Sequence, residues 1–484
     1  MDGLAQEHLR IPRTPIPLER TTSALDTAKK SVLQKFSGLF VRDKGFYKTV
    51  TMLALPIVLQ NMITMGVNIM DTVMLGKYGE IQLSGSSLAN DFIQIFHILC
   101  MGMGGGAAVL TAQFWGRRDT LSIRKTVALM MRVCLSLVAI FTLVTIFFPQ
   151  GIMRIFTSDE AVIEKGVIYL TWSLPQYLLL GLSLTLTLIL RSMRKVMVPL
   201  YTSIISFFVN IGCNYVFIFG KLGFPEMQIA GAALGTVCAR VVETLIIGGY
   251  FLFAERDIKL KITDIFMSCR DITARYFKYS IPVVLSDSLL AFGNSMVAIV
   301  IGHISTEFVA ANAIIQTIVR LSTVFTQGLG QAASTLTGNT LGQGDTDKAY
   351  RQAVTMVTLS AMIGVCAGGI ILALSPWIIS IYNISDLTRS VATQLMYAVS
   401  IMVIFQSMQG VLTKGVLRGG GDTRFCMLAD AGFLWIASVP LGALCGLVLG
   451  ASPFVIYIAL KIDWALKTLL CLWRLKTKKW MKRV

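Results

Sequence analysis

The chain has 484 residues, of which 55% are hydrophobic and 14% charged, and its mean hydropathy is +0.69. A soluble domain keeps about a quarter of its residues charged, so this composition excludes a chain bathed in water on all sides and indicates an integral membrane protein. The net charge of +17 is not a nucleic-acid signal. The basic residues lie in short loops and tails between apolar runs, as membrane topology places them.

Residues 1–48 are polar, of mixed charge, and contain Pro12, Pro15 and Pro17. They read as a largely disordered cytoplasmic tail without a cleavable leader; a membrane-surface helix over 31–46 is the sharper alternative. Twelve apolar segments follow, at 50–75, 85–113, 125–148, 166–190, 197–219, 229–254, 276–302, 308–340, 353–380, 392–417, 425–449 and 452–473. Each is near or above the ~20 residues that a helix needs to cross a bilayer. The second and eighth are long and are expected to tilt or bend.

Alternate loops differ in charge. Arg117, Arg118, Arg124 and Lys125 follow span 2, and Arg191, Arg194 and Lys195 follow span 4. Arg256 to Lys278 joins the halves, Lys348 and Arg351 follow span 8, and Arg418 and Arg424 follow span 10. The other loops are poor in basic residues and carry Glu80, Asp159, Glu160, Glu226 and Glu307. The positive-inside rule puts the basic set, and with it both termini, in the cytoplasm. The basic 474–484 tail agrees.

The sequence repeats itself. Pro56 in Leu-Pro-Ile-Val-Leu and Pro282 in Ile-Pro-Val-Val-Leu lie 226 residues apart. The same offset relates Gly76 to Gly302 and Gly104 to Gly330. It also relates Thr111, Gly116, Asp119 and Thr120 to Thr337, Gly342, Asp345 and Thr346. One residue later in offset, Leu190-Arg191 matches Leu417-Arg418. Six spans per copy is an even number, so both copies enter from one side and relate by an axis along the membrane normal, as parallel transporter repeats do. The expected fold is therefore all-α integral membrane, with twelve transmembrane helices in two six-helix bundles. A 1–48 tail precedes a first lobe at 49–255; a 256–275 cytoplasmic linker leads to a second lobe at 276–473 and the 474–484 tail.

Enzyme chemistry finds no footing. Nine cysteines, with no CxxC, and the three histidines His8, His97 and His303 make no zinc or haem motif. The glycines at 102 and 104–106 lack the Lys-Ser/Thr of a phosphate loop. No HExxH or nucleophile elbow is present.

The polar residues inside spans are more informative. Asp71 lies in span 1, where a carboxylate costs on the order of 2.5–3.5 kcal/mol to insert and needs a partner or water. Burial would let it titrate, and its oxygens suit a hard cation. Asn210 and Asn214 are four apart and share a helix face, and Thr236 lies on the next span. Interhelical hydrogen bonding is the structural alternative for these three. Further in-span acids are Asp91, Glu243, Asp287 and Asp430. Asp287, with Gln60 and Met65, is a substrate-site candidate; Met65 belongs to a methionine-rich stretch whose flexible thioethers suit a promiscuous pocket. Pro56 and Pro282 remove backbone hydrogen bonds and are candidates for helix bending.

The chain resembles the multidrug and toxic compound extrusion (MATE) family over about 48–470. The resemblance rests on Leu55-Pro56, Ile69-Met70-Asp71-Thr72 with Gly76, and Ala112-Gln113 with Gly116 and Asp119. It also rests on Asn210 to Asn214, Ile218-Phe219-Gly220, Phe224-Pro225, Ala230-Gly231-Ala232-Ala233 with Thr236, and Leu417-Arg418-Gly419-Gly420-Gly421-Asp422-Thr423. It implies export of bulky, often cationic compounds by alternating access of a two-lobed cleft, driven by inward sodium ions or protons. It further implies that Asp71, with Asn210, Asn214 and Thr236, forms a cation or proton site in the first lobe. The family often has an aspartate where this chain has Asn214. In span 10, Phe405-Gln406-Ser407 supplies no acid, so coupling is expected mainly in the first lobe. The expectation is a monomeric inner-membrane antiporter for organic cations or related drugs, needing no cofactor beyond a possible sodium ion at Asp71. The alternative is a flippase for lipid-linked saccharides, which would favour a wide basic cavity; here the basic residues sit mostly in loops.

Overall fold

The structure is a computed structural model that describes residues 40–382 and 384–483. The expectations for the tail up to residue 39 lie outside it. The first half holds α1 (Lys44–Gly76), α2 (Glu80–Gly116), α3 (Thr120–Phe147), α4 (Pro149–Phe156), α5 (Glu160–Trp172), α6 (Leu174–Ser192), α7 (Met197–Phe219) and α8 (Gln228–Gly249). A linker with one 3-10 turn (Ile262–Phe266) leads to the second half. That half holds α9 (Arg270–Gly302), α10 (Thr306–Gly342), α11 (Thr346–Ile381), α12 (Asp386–Gly410), α13 (Thr423–Phe433), α14 (Val439–Ala443), α15 (Pro453–Leu460) and α16 (Ile462–Lys476).

Several helices begin one or two turns before their apolar run does, because a cap sets the start. Asp119 accepts from the Ser122 amide at 3.0 Å, and its repeat mate Asp345 accepts from the Lys348 amide at 2.9 Å. Ser305 and Ser385 cap α10 and α12 in the same way. Such caps satisfy amide groups that the first helical turn leaves open. The matched aspartates of the internal repeat are thus helix starts.

Among the described residues, eleven helices are long and apolar enough to cross a membrane. Two of the twelve expected spans are not continuous helices. The fourth is α5 followed by α6, broken at Ser173. Pro175 lacks an amide hydrogen and cannot continue the ladder of a preceding helix. The twelfth is α15 followed by α16, broken at Lys461. There the Asp463 amide, near the start of α16, donates to Ser438 Oγ at 3.0 Å instead of to α15. Segments of π-helix extend or interrupt spans 6, 10 and 11, at Tyr250–Ala254, Val411–Leu417, Leu434–Ser438 and Leu444–Val448.

The two first helices cross over. Phe46, Val50, Leu53 and Ile57 of α1 join a core with α10, α11, Leu475 and Trp480. Ile272, Tyr276 and Tyr279 of α9 join a core with α2, α3 and α6. Each lobe therefore grips the other through its neighbour's opening helix. Side chains such as Phe147, Phe208, Leu245, Trp377 and Ile436 stay exposed. In lipid they have an apolar solvent, which accounts for the high hydropathy.

All the hydrogen bonds that join the lobes among the described residues lie in the half of the molecule carrying the basic loops. Arg194 Nε donates to Asn339 Oδ1 at 2.9 Å, and Asn339 Nδ2 donates to the carbonyls of Ala112 and Ser192 at 3.2 and 3.1 Å. Ser280 Oγ donates to the Met103 carbonyl. The linker joins in, with Arg124 bound to Asp264 and Lys125 to Asp271. Beyond this closure the lobes line a cavity.

Candidate functional site: an amide-held carboxylate and a basic cleft

In the first lobe the structure brings Asp71, Asn210 and Asn214 together. Asn214 Nδ2 donates to Asp71 Oδ1 at 2.5 Å and to Asn210 Oδ1 at 3.2 Å. Both asparagines are fully buried, and Asp71 is half-buried. The four-residue spacing puts the two amides on one face of α7, turned toward α1. Gly235 of α8 leaves room for this: a Cβ there would lie 2.1 Å from Asn214 Oδ1. Thr236 is half-buried on α8 and bonds its hydroxyl back to the Ala232 carbonyl at 3.1 Å.

Asn214 Oδ1 and Asn210 Nδ2 are buried without partners. Turning the Asn214 amide over would set its oxygen beside Asp71 Oδ1 and Asn210 Oδ1. That gives three oxygens around one point, the donor set a hard cation takes. A protonated Asp71 would find an acceptor in the same turned amide. The residues present therefore fit a sodium ion or a proton. Neighbours that the sequence did not single out complete the site. Tyr169 is buried and shares hydrogen bonds with Asn90 at 3.1 and 3.4 Å. Arg240 lies within electrostatic reach of Asp71 and pairs with Glu243 at 2.6 Å.

Asp71 does not line the central cavity. That cavity, about 580 Å³, lies between the lobes and is lined by Gln94, His97 and Met101 on one side and by Asp287, Asn294 and Gln331 on the other. Asp287 pairs with Arg418 at 3.1 and 3.3 Å. Gln60 is buried and accepts from Arg191, which also donates to Gln331 across the lobe boundary. Met65 is half-buried in α1 and is not among the cavity-lining residues, whereas Met101 is. Pro56 and Pro282 are buried inside α1 and α9, which run unbroken through them.

A second chamber, about 500 Å³, continues into the second lobe and shares Leu290, Asn294, Thr323, Gln406, Gln409 and Lys414 with the first. Arg320, Lys461, Lys467, Asp430 and Asp463 also line it. Lys467 is paired with Asp463 at 2.8 Å and lies 3.8 Å from Asp430; Ser286 donates to Asp430 at 2.9 Å. Most basic residues are loop residues, as the sequence suggests, but six of them line these two chambers. Arg191 and Arg418 turn inward from the helix ends, and four further cations that line the chambers, Arg320, Lys414, Lys461 and Lys467, sit within spans. The cost of charge in lipid, applied to the in-span acids, applies equally to Lys461 and Lys467 and marks them in the sequence.

A sequence model described as MatE matches residues 56–216 and 282–444. Two curated relatives carry the names of multidrug resistance proteins. The probable multidrug resistance protein NorM of Agrobacterium fabrum is 26% identical over 411 residues, covering 82% of this chain and 88% of its own. Multidrug resistance protein MdtK of Pectobacterium atrosepticum is 25% identical over 405 residues, covering 82% and 86%. An outward-facing MATE family transporter of the MOP superfamily shares the fold, with a TM-score of 0.81 over 91% of this chain and 99% of that one, at 17% identity. The two matched stretches begin at the repeat-related prolines Pro56 and Pro282 and cover both halves of the molecule, so the chain belongs to the MatE family of multi-pass membrane transporters and is not an enzyme.

Proposed function

We propose that the chain is a secondary antiporter that exports bulky drug-like compounds across the inner membrane, in exchange for sodium ions or protons. The resemblance suggests organic cations or related drugs as cargo. The observation that carries the exchange reading is the Asp71–Asn214–Asn210 cluster: a carboxylate at membrane depth, off the cargo cavity, held by an amide that can face it with either a donor or an acceptor. The basic loops support a cytoplasmic position for the closed end of the molecule and, with it, for both termini. The cavity would then communicate with the outside, and loading from the cytoplasm would require the closure to open. Alternating access about one pseudo-two-fold axis needs only one chain. The names of the relatives favour drug export over flipping of lipid-linked saccharides.

The test is transport in proteoliposomes of a fluorescent organic cation, under a sodium gradient and under a pH gradient in turn. One gradient is expected to drive uptake, and Asp71→Asn to abolish that driven component. Asn214→Leu, which removes the amide but keeps the carboxylate, is expected to slow driven uptake by at least about tenfold, the worth of one charge-assisted hydrogen bond. Uptake that is equal in wild type and Asp71→Asn would overturn the role of Asp71. A protein that moves no drug under either gradient would overturn the exporter reading.

A further inference from the structure

Three cations around the second-lobe chamber make no direct ion pair among the described residues, although Asp287 lies within electrostatic reach of Lys414. Lys461 is only 6% exposed, and its ammonium meets the Trp464 ring at 5.3 Å; among the described residues no carboxylate lies within ion-pair distance, and Asp463, itself paired with Lys467, reaches it only at longer range. Arg320, in the middle of α10, and Lys414, on the π-helical stretch of span 10, have no side-chain hydrogen bond or ion pair among the described residues. The two carboxylates of the chamber, Asp430 and Asp463, are already engaged by Lys467, Ser286 and Ser438.

Cations at membrane depth are costly and are usually paired. An unpaired, buried ammonium at a cavity wall is therefore a binding group without its partner. The chamber also holds acceptors in that condition: Asn312 Oδ1 and Gln406 Oε1 are buried without hydrogen bonds. Span 10 bears Lys414 on a π-helical turn, a feature frequent at functional sites.

We propose that this chamber binds the acidic group of the cargo. Resting on the exporter reading above, this narrows the cargo to organic compounds that carry a carboxylate or similar anionic group, either as anions or as zwitterions. Lys461 meets the anionic oxygen, Lys414 and Arg320 add to the attraction at the mouth, and the Asn312 and Gln406 amides bond polar groups beside it. Simple cations without an acidic group enter the shared cleft but lack the contact that retains them.

Rhodamine B and its ethyl ester test this, because they differ only in a free carboxylate. Binding is read by fluorescence polarisation to the full-length protein in nanodiscs of phosphatidylcholine. Rhodamine B is expected to bind at least about tenfold more tightly than the ester, and Lys461→Met to remove that difference while leaving ester affinity unchanged. Lys414→Gln, whose side chain makes no internal bond, serves as the second variant and is expected to reduce the preference without affecting folding. Equal affinity for the two dyes, or a preference that survives both substitutions, overturns the proposal. Competition by phosphatidylglycerol that depends on Lys461 also overturns it, by assigning the chamber to a lipid headgroup. Gradient-driven transport of the ester, run in parallel, separates this failure from failure of the exporter reading. An ester that is transported without any carboxylate preference sinks only the present proposal.

Discussion

Gly116 of α2 lies against the carbonyl oxygen of Asn339 in α10, so close that a Cβ on the glycine would sit 2.1 Å from that oxygen. The symmetry mate of this contact is Gly342 against the carbonyl of Gln113, again at 2.1 Å. Both pairs are related by the 226-residue offset. The pseudo-two-fold axis therefore passes between two helix ends that touch backbone to backbone, and this double contact closes the end with the basic loops. Gly116→Ala and Gly342→Ala are expected to hold that end open, since a carbonyl cannot yield as a flexible side chain does. Spin labels at the exposed Leu121 and Lys348 would report the change, with wild type giving a short inter-lobe distance and either variant a longer one. An unchanged distance in both variants would show that the closure does not depend on the glycine contact.

A strap reinforces the same end. Trp480 is fully buried against Gly420, the Lys482 carbonyl accepts from Gln113 Nε2 of the first lobe at 3.0 Å, and Lys482 Nζ pairs with Asp422 of the second lobe at 2.6 Å. The C-terminal segment thus ties the two lobes together. Trp480→Ala removes a large buried ring and is expected to cost about 3–5 kcal/mol, seen as a lowered thermal midpoint. It should also lengthen the Leu121–Lys348 distance. A lower midpoint with no change in distance would limit Trp480 to packing within the second lobe.

The crossings and the repeat were legible because hydropathy and periodicity are local signals. The broken crossings at Ser173 and Lys461 were not. Ser438, the partner that satisfies the first turn of α16, is 25 residues away in sequence, so no local rule finds it. The Asp71–Asn214 contact joins residues 143 apart; helix-face spacing suggested the pairing of Asn210 with Asn214, and only the family resemblance brought Asp71 to them. Met65 shows the limit of composition, since methionine richness says nothing about which face of α1 meets the cavity. Arg191 was misread as a loop residue because it follows the last apolar residue of its span, although a long side chain at a helix end can turn back inward.

Arg124 donates to both carboxylate oxygens of Asp264 in the linker, at 2.6 and 2.9 Å, and holds that carboxyl below its ordinary value of 3.8, with burial opposing. The carboxyl binds its proton more tightly in the unfolded chain than in the folded one. Its stabilising contribution is therefore complete above about pH 4 and is lost as pH falls through the lower folded value. At neutral pH, Asp264→Asn is expected to cost about 1–2 kcal/mol, discounted because the Arg124 side chain is 26% exposed. Thermal midpoints of wild type and variant should differ at pH 7 and converge only as the pH falls through the folded value of the Asp264 carboxyl, which lies below 3.8. A gap that persists into acid would mean that the Lys261 amide bond to Asp264, at 2.9 Å, carries the effect rather than the charge.

Arg191 with Gln60 and Arg418 with Asp287 occupy equivalent places in the two lobes, each pair separated by 131 residues. One lobe gives its arginine a neutral amide, the other a carboxylate. Removing the arginine should therefore have unequal consequences. Arg418→Met leaves Asp287 as a half-buried carboxylate with its ion pair gone, and is expected to cost about 3 kcal/mol, the low end for a broken buried pair because Asp287 keeps 20% exposure to the cleft. Arg191→Met leaves only the amides of Gln60 and Gln331, and is expected to cost about 1–2 kcal/mol. In the double variant Asp287→Asn with Arg418→Met, most of the larger loss should return, because no buried charge remains uncompensated. Thermal unfolding of the three variants in one detergent gives the comparison. Equal losses for Arg191→Met and Arg418→Met, with no recovery in the double variant, would show that the two arginines act through packing alone and that the charge asymmetry between the lobes has no energetic weight.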